Sequence, residues 1–316
     1  MKRGWITWDQ TELPRAAFDA RLDAARTLLR ERDLEALVVY TDIWRSNRVR
    51  HFCNFMPYWN RALLAIPREA PPVLLCGLSP RVYPWIQSVT ILEEILPSPN
   101  LPQRLVQLGK ERRWARIGAV DLAGFPNDLY TPLKAAGVED LGTADSPDEW
   151  ELALHRRAAT MAREGLDEEL ASGIGQIDHE FTGLLERKFR RAGAEDLVIL
   201  LTNGRTPPAP PRGERLGEAF SVSLALEYRG HWVKLIRNPV GQALLPAAAF
   251  QAAGRAETRP QAGGLPHVYT ETLGGPYPYE SGDGPLFAAR WESAHNGLRL
   301  FHGDTYRRTP NGPELL

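Results

Sequence analysis

The chain has 316 residues, 43% of them hydrophobic and 24% charged, which is ordinary for a globular protein with room for two cores. Its 38 Lys and Arg against 39 Asp and Glu leave a formal charge of -1, so no global field draws it to nucleic acid or to an anionic membrane. No apolar run approaches the ~20 residues that a membrane span needs.

The N-terminal MKRGWITWDQTE lacks the apolar core of a signal peptide, so the expected compartment is the cytoplasm. Residues 13–32 place Phe18, Leu22, Ala25, Leu28 and Leu29 at helical spacing and predict an amphipathic helix. Short apolar runs follow at 34–40, 61–67, 72–78 and 115–122, each bounded by Pro, Gly or charge as buried strands are. Cys53 and Cys76 sit inside apolar or aromatic segments and read as buried thiols. With a helix at 101–113, the alternation predicts an α/β domain over residues 1–145.

A second domain, 146–316, opens on a long helix with Ser146 as its expected N-cap and Pro147 in its first position. A helix at 178–192 ends at Gly193, and a strand at 196–202 comes next. TPPAPPRGER is too rich in proline for regular structure and predicts a stiff connector. Beyond it, SLALEYRGHWVKLIRN (223–238) has the outline of a β-hairpin, while PHVYTETL, GPLFAARWES and GLRLFHGD are strand candidates in an Ala-, Gly- and Pro-rich remainder.

Taken in order, these parts resemble the creatinase and Xaa-Pro aminopeptidase family. The first domain carries Asn47, Arg50 and His51 in the form of that family's Asn-x-x-Arg-[Tyr/His] segment, and ALLAIP with PVLLC is similar to the hairpin after it. The second domain resembles the family's two entry helices, with Gly175 and Gly193, and closes on GLRLFHGDTYRRTPNGPELL. The fold implied is α+β: a creatinase-type N-terminal α/β domain followed by a reduced pita-bread domain, shortened between Gly241 and Gly264.

Family members commonly hold two metal ions through two aspartates, a histidine and two glutamates, a set of hard donors suited to activating water. With Gly230 and Arg237 in the family's register, Ser223 and Lys234 fall in the two aspartate slots. An ammonium there repels a dication, at about 4 kcal/mol for a unit pair 4 Å apart in an effective dielectric of 20. The resemblance therefore implies no metal and no other cofactor. His267 stands near the family's histidine ligand, Glu292 near one glutamate, and Phe301 or His302 at the last glutamate.

The family includes members that work without metal, so the expected activity is acid–base cleavage of a C–N bond in a small polar amide or peptide-like compound. His267, Glu292 and His302 are its catalytic candidates, with His267 as general base where a carboxylate such as Glu292 orients it. Asp304 and the acids and tyrosines of YTETLGGPYPYESGD are further candidates. Lys234 and Arg237 are expected to hold an anionic group, unless Lys234 pairs structurally, for instance with Glu227, or Arg237 simply braces the sheet. Tyr277, Tyr279 and Glu280 are expected to line a pocket.

The other reading is an inactive pita-bread protein that binds a peptide, metabolite or protein partner. RSNRVRHFCNFMPYWNR interleaves basic and aromatic residues, a texture also found in nucleic-acid binders, but the balanced charge opposes that partner. The resemblance implies a homodimer in which this region, with Arg50, His51 and Trp59, approaches the partner's site.

Overall fold

The computed structural model describes residues 6–142, 146–204, 207–241, 268–273, 284–295 and 297–316. It divides into two compact units, Lys2–Ala144 and Asp145–Leu316. No described helix is long and apolar enough to cross a membrane.

The first unit runs α1 (Arg15–Glu31), β1 (Ala36–Asp42), α2 (Asn47–Cys53), β2 (Arg61–Pro67), β3 (Val73–Cys76), α3 (Tyr83–Val89), β4 (Glu94–Pro97), α4 (Leu101–Arg112), β5 (Ile117–Ala119), α5 (Asn127–Ala135) and β6 (Glu139–Asp140). Its sheet has the order β4-β3-β2-β1-β5-β6, with β2 antiparallel to both neighbours and the outer pairs parallel. Alternate residues of the apolar strands serve two cores. Leu37, Val39, Leu64 and Leu74 pack under α1 and α2, whereas Val38, Leu63, Ala65 and Leu75 pack under α4 and α5. Cys53 and Cys76 are free and buried, and burial raises both thiols, to about 12 and about 11.

The second unit runs α6 (Glu149–Glu169), α7 (Asp178–Ala192), β7 (Asp196–Thr202), β8 (Ser221–Tyr228), β9 (His231–Arg237), β10 (Val268–Thr272), β11 (Leu286–His295), β12 (Leu298–Thr309) and β13 (Gly312–Leu315). The long helix begins two residues beyond the expected cap. Asp148 caps it instead, accepting from the Glu151 N–H at 2.8 Å while the Glu151 carboxylate takes the Asp148 N–H, a reciprocal capping box.

The sheet order is β10-β11-β12-β9-β8-β7, with β13 on β12. β8 and β9 form the expected hairpin, closed by Arg229 and Gly230 at φ 51° and 89°. Both central residues are left-handed, as a type I′ turn requires. Phe181, Leu185 and Phe189 of α7 join Ala158, Ala162 and Leu166 of α6 over Val222, Leu224, Leu226, Val233 and Leu235. This packing fixes one face of the hairpin toward the helices and turns Ser223, Ala225, Lys234 and Ile236 to the other.

Candidate functional site

The face turned away from α6 and α7 carries a buried ion cluster. Ser223 pairs with Ile236 and Ala225 with Lys234, so the two residues in the expected aspartate slots lie diagonally on this face. Lys234 Nζ is 3.2 Å from Glu271 Oε2, and the two side chains are only 8% and 5% exposed. Glu271 comes from β10, and its other oxygen Oε1 contacts Arg290 Nε of β11. One acid is thus shared by two cations, and Glu227 of β8 adds a second buried acid on the same face. Burial lowers the Lys234 pKa, the charge and hydrogen bond of Glu271 oppose that shift, and Arg290 reinforces it; the ammonium ends below the usual lysine range.

Small residues surround the cluster. Ala225 lies across β8 from Lys234, Ala288 lies across β11 from Glu271, and Gly303 of β12 lies opposite Arg290 and Ile236. A Cβ on Gly303 would stand 3.3 Å from Arg290 Cγ and 3.2 Å from Ile236 Cγ1. Glycine at 303 therefore lets Arg290 lie flat across the sheet. Thr305 holds the Lys234 backbone from β12, its hydroxyl donating to Lys234 O at 2.9 Å and accepting from Lys234 N–H at 2.9 Å.

The helix-facing side carries a second set of charges. Arg237 Nη2 is 2.5 Å from Asp304 Oδ2, Arg237 Nη1 donates to Gly303 O at 2.7 Å, and Arg163 of α6 lies 3.5 Å from the same carboxylate. Arg237 and Asp304 are 5% and 1% exposed, so this set braces sheet against helix. His302 shares the face, stacked on Trp291, with Nε2 at 2.7 Å from Ser293 Oγ and Nδ1 at 3.3 Å from Asn238 Nδ2. Burial first, then the charge of Arg237, holds His302 down to about 4, which keeps it neutral at pH 7.

These placements separate the expected catalytic residues. Glu292 pairs with Phe301 on the Lys234 face and makes a two-point ion pair with Arg299 at 2.6 and 2.8 Å, while His302 is on the reverse face. A common acid–base role for Glu292 and His302 is therefore not built into the sheet. His267, Tyr277, Tyr279 and Glu280 lie outside the described residues. Arg50 and His51 belong to α2 of the first unit, where His51 O accepts from Arg21 Nη1 at 2.8 Å and Arg50 is buried. Trp59 is 57% exposed and Trp44 is 66% exposed on the same unit.

Two members of the ion cluster carry only a weak signal in the sequence. Glu271 was one acid among several in YTETLGGPYPYESGD, and its signal is a charge inside a β-branched strand. Arg290 stands two residues before Glu292, and the twofold alternation of β11 puts both on one face.

No protein-family model and no curated protein matches the chain. Solved structures do match. The X-Pro aminopeptidase from Thermotoga maritima MSB8 superposes with a TM-score of 0.69 at 12% identity, covering 93% of this chain and 96% of its own. The Xaa-Pro dipeptidase from Bacillus anthracis gives 0.64 at 15% identity over 94% and 97%. The N-terminal domain of FACT complex subunit SPT16 from Eremothecium gossypii gives 0.50 at 12% identity over 98% and 96%. At these identities the likeness establishes the fold, the two-part α+β architecture that the sequence resemblance implied.

Proposed function

We propose that this chain uses the Xaa-Pro peptidase fold without a dinuclear metal centre, to bind a small carboxylate-bearing compound of peptide-like or amino-acid-derived chemistry on the Lys234 face. The observation that carries this reading is the buried cluster in which Lys234 and Arg290 share Glu271. Its donor set does not suit two dications. A hydroxyl and an ammonium stand in the two expected aspartate slots, and the acid that remains is already neutralised by a lysine and an arginine. The same face suits an anion at Arg290, whose guanidinium is the more open of the two cations and has glycine as its neighbour on β12.

Binding is favoured over C–N bond hydrolysis because the candidate acid and base are engaged elsewhere: Glu292 with Arg299, and His302 with Ser293 and Asn238 on the other face. SPT16, a complex subunit by name, shares the fold, in keeping with a use other than peptide cleavage. Exposed Trp44 and Trp59 are consistent with a homodimer through the first unit.

The test is calorimetry of the purified protein with small carboxylates and with Xaa-Pro dipeptides, beside elemental analysis for transition metals. The expected outcome is salt-sensitive carboxylate binding, weakened by Lys234→Met and by Arg290→Gln, with no stoichiometric metal. Two bound ions per chain, or dipeptide hydrolysis undiminished in Lys234→Met, would overturn it.

A further inference from the structure

The identity of the cation at 234 carries more than its charge. The chain holds five lysines against 33 arginines, so arginine is its ordinary cation. Arginine also fills the other Lys/Arg positions in the described strands of this sheet, Arg237, Arg290, Arg299, Arg307 and Arg308. A position asked only for fixed charge and two-point recognition of a carboxylate is better served by a guanidinium, which stays protonated and presents a planar fork. A primary amine adds nucleophilicity once it has lost a proton. Desolvation and the second cation beyond the carboxylate work against the charge on Lys234, while the Glu271 oxygen 3.2 Å from Nζ holds that charge and is the acceptor in place for its proton.

We propose that Lys234 captures the carbonyl group of a 2-oxo acid as an imine, with Arg290 holding the ligand's carboxylate and Glu271 moving the proton. This rests on the carboxylate-binding reading above and names its ligand class. Glu271 takes a proton from the ammonium, and the freed Nζ lone pair attacks the carbonyl carbon. A proton passes from nitrogen to the former carbonyl oxygen, giving a carbinolamine. Glu271 then returns its proton to that hydroxyl, which leaves as water as the C=N bond forms. The sum is ammonium plus ketone giving protonated imine plus water, with nitrogen and Glu271 both neutral at the carbinolamine and the ion pair restored once water leaves.

The cluster is arranged for this exchange. Arg290 is its more open member, with 32% of its side chain exposed against 8% for Lys234, so an incoming carboxylate meets the guanidinium first. As the ligand's carboxylate takes up Arg290, it draws the guanidinium from Glu271, whose other oxygen stays on Lys234. Ala225 lies across from Lys234 and Gly303 across from Arg290, so neither cation has a long side chain as that cross-strand partner.

The experiment is reductive trapping of the wild-type protein with pyruvate and sodium borohydride, followed by peptide mass spectrometry, with pyruvate and acetate calorimetry in parallel. The expected result is a reduced pyruvyl adduct at Lys234 that exceeds labelling of the exposed Lys110 and Lys134. Lys234→Arg should lose that adduct. Arg290→Gln should lower trapping by pyruvate more than trapping by acetaldehyde, which has no carboxylate to hold. Carboxylate binding with no adduct at Lys234, or labelling confined to surface lysines, overturns the imine and leaves the binding reading intact. Absence of both carboxylate binding and adduct overturns the two together.

Discussion

At the scale of single residues, the Lys234–Glu271–Arg290 cluster should respond unequally to loss of its members. Lys234→Met removes one cation and leaves Glu271 paired with Arg290, whereas Glu271→Gln removes the acid that lies between a buried ammonium and a guanidinium. Breaking a buried pair so that a charge is stranded costs about 3–5 kcal/mol, while replacing a charge by an apolar group of similar shape costs much less. Glu271→Gln should therefore lower the urea midpoint clearly more than Lys234→Met, and equal losses would show that Glu271 does not neutralise both cations. The lysine was legible in the sequence because Gly230 and Arg237 set the register of a local hairpin. Its acid was not, because Glu271 lies 37 residues away and no local period links the two strands.

At the scale of elements, caps and connectors are held by acids whose partners are backbone N–H groups. Asp148 closes the first turn of α6, and Asp148→Ala should cost about 1 kcal/mol, measurable as a fall in the thermal midpoint. Asp178 does more than begin α7. Its carboxylate accepts from Arg212 N and Gly213 N, each at 2.8 Å, and its own N–H donates to Glu214 O, so it anchors the proline-rich connector. Burial pushes the Asp178 carboxyl up, but those N–H groups outweigh it and hold the group below the usual range. Asp178→Ala should cost about 1.5–3 kcal/mol per lost charge-assisted bond and speed proteolysis within residues 207–215; an unchanged cleavage rate would show the prolines alone hold the connector. Strands and helices with a clear period were legible, among them α7 and β7 at their observed bounds. Short pieces were missed, including β4 and β13, because four residues fixed by pairing carry little periodic signal.

At the scale of the whole molecule, the two-part order of elements was legible because each domain keeps its own alternation, while the chemistry on the second sheet depends on which face each residue takes. That facing also distributes acid sensitivity between the units. The second unit buries two histidines as neutral rings: burial holds His155 to about 4, and burial with Arg237 does the same for His302. Unfolded histidine takes up a proton near pH 6.5, so below that pH the unfolded state binds more protons than the folded one. The stability owed to these rings is full above pH 6.5 and is lost as the pH falls toward 4. The first unit instead has Asp42 and Asp140, whose carboxyls burial would raise but N–H donors hold low. Their contribution is intact above the ordinary carboxylate range and fails only as the pH drops through the lowered values. Calorimetric scans from pH 7.5 to 4.5 should therefore show the second unit's transition moving down by several degrees while the first unit's holds, with domain-specific hydrogen exchange assigning each. Parallel decline of the two transitions would place the acid-sensitive groups elsewhere.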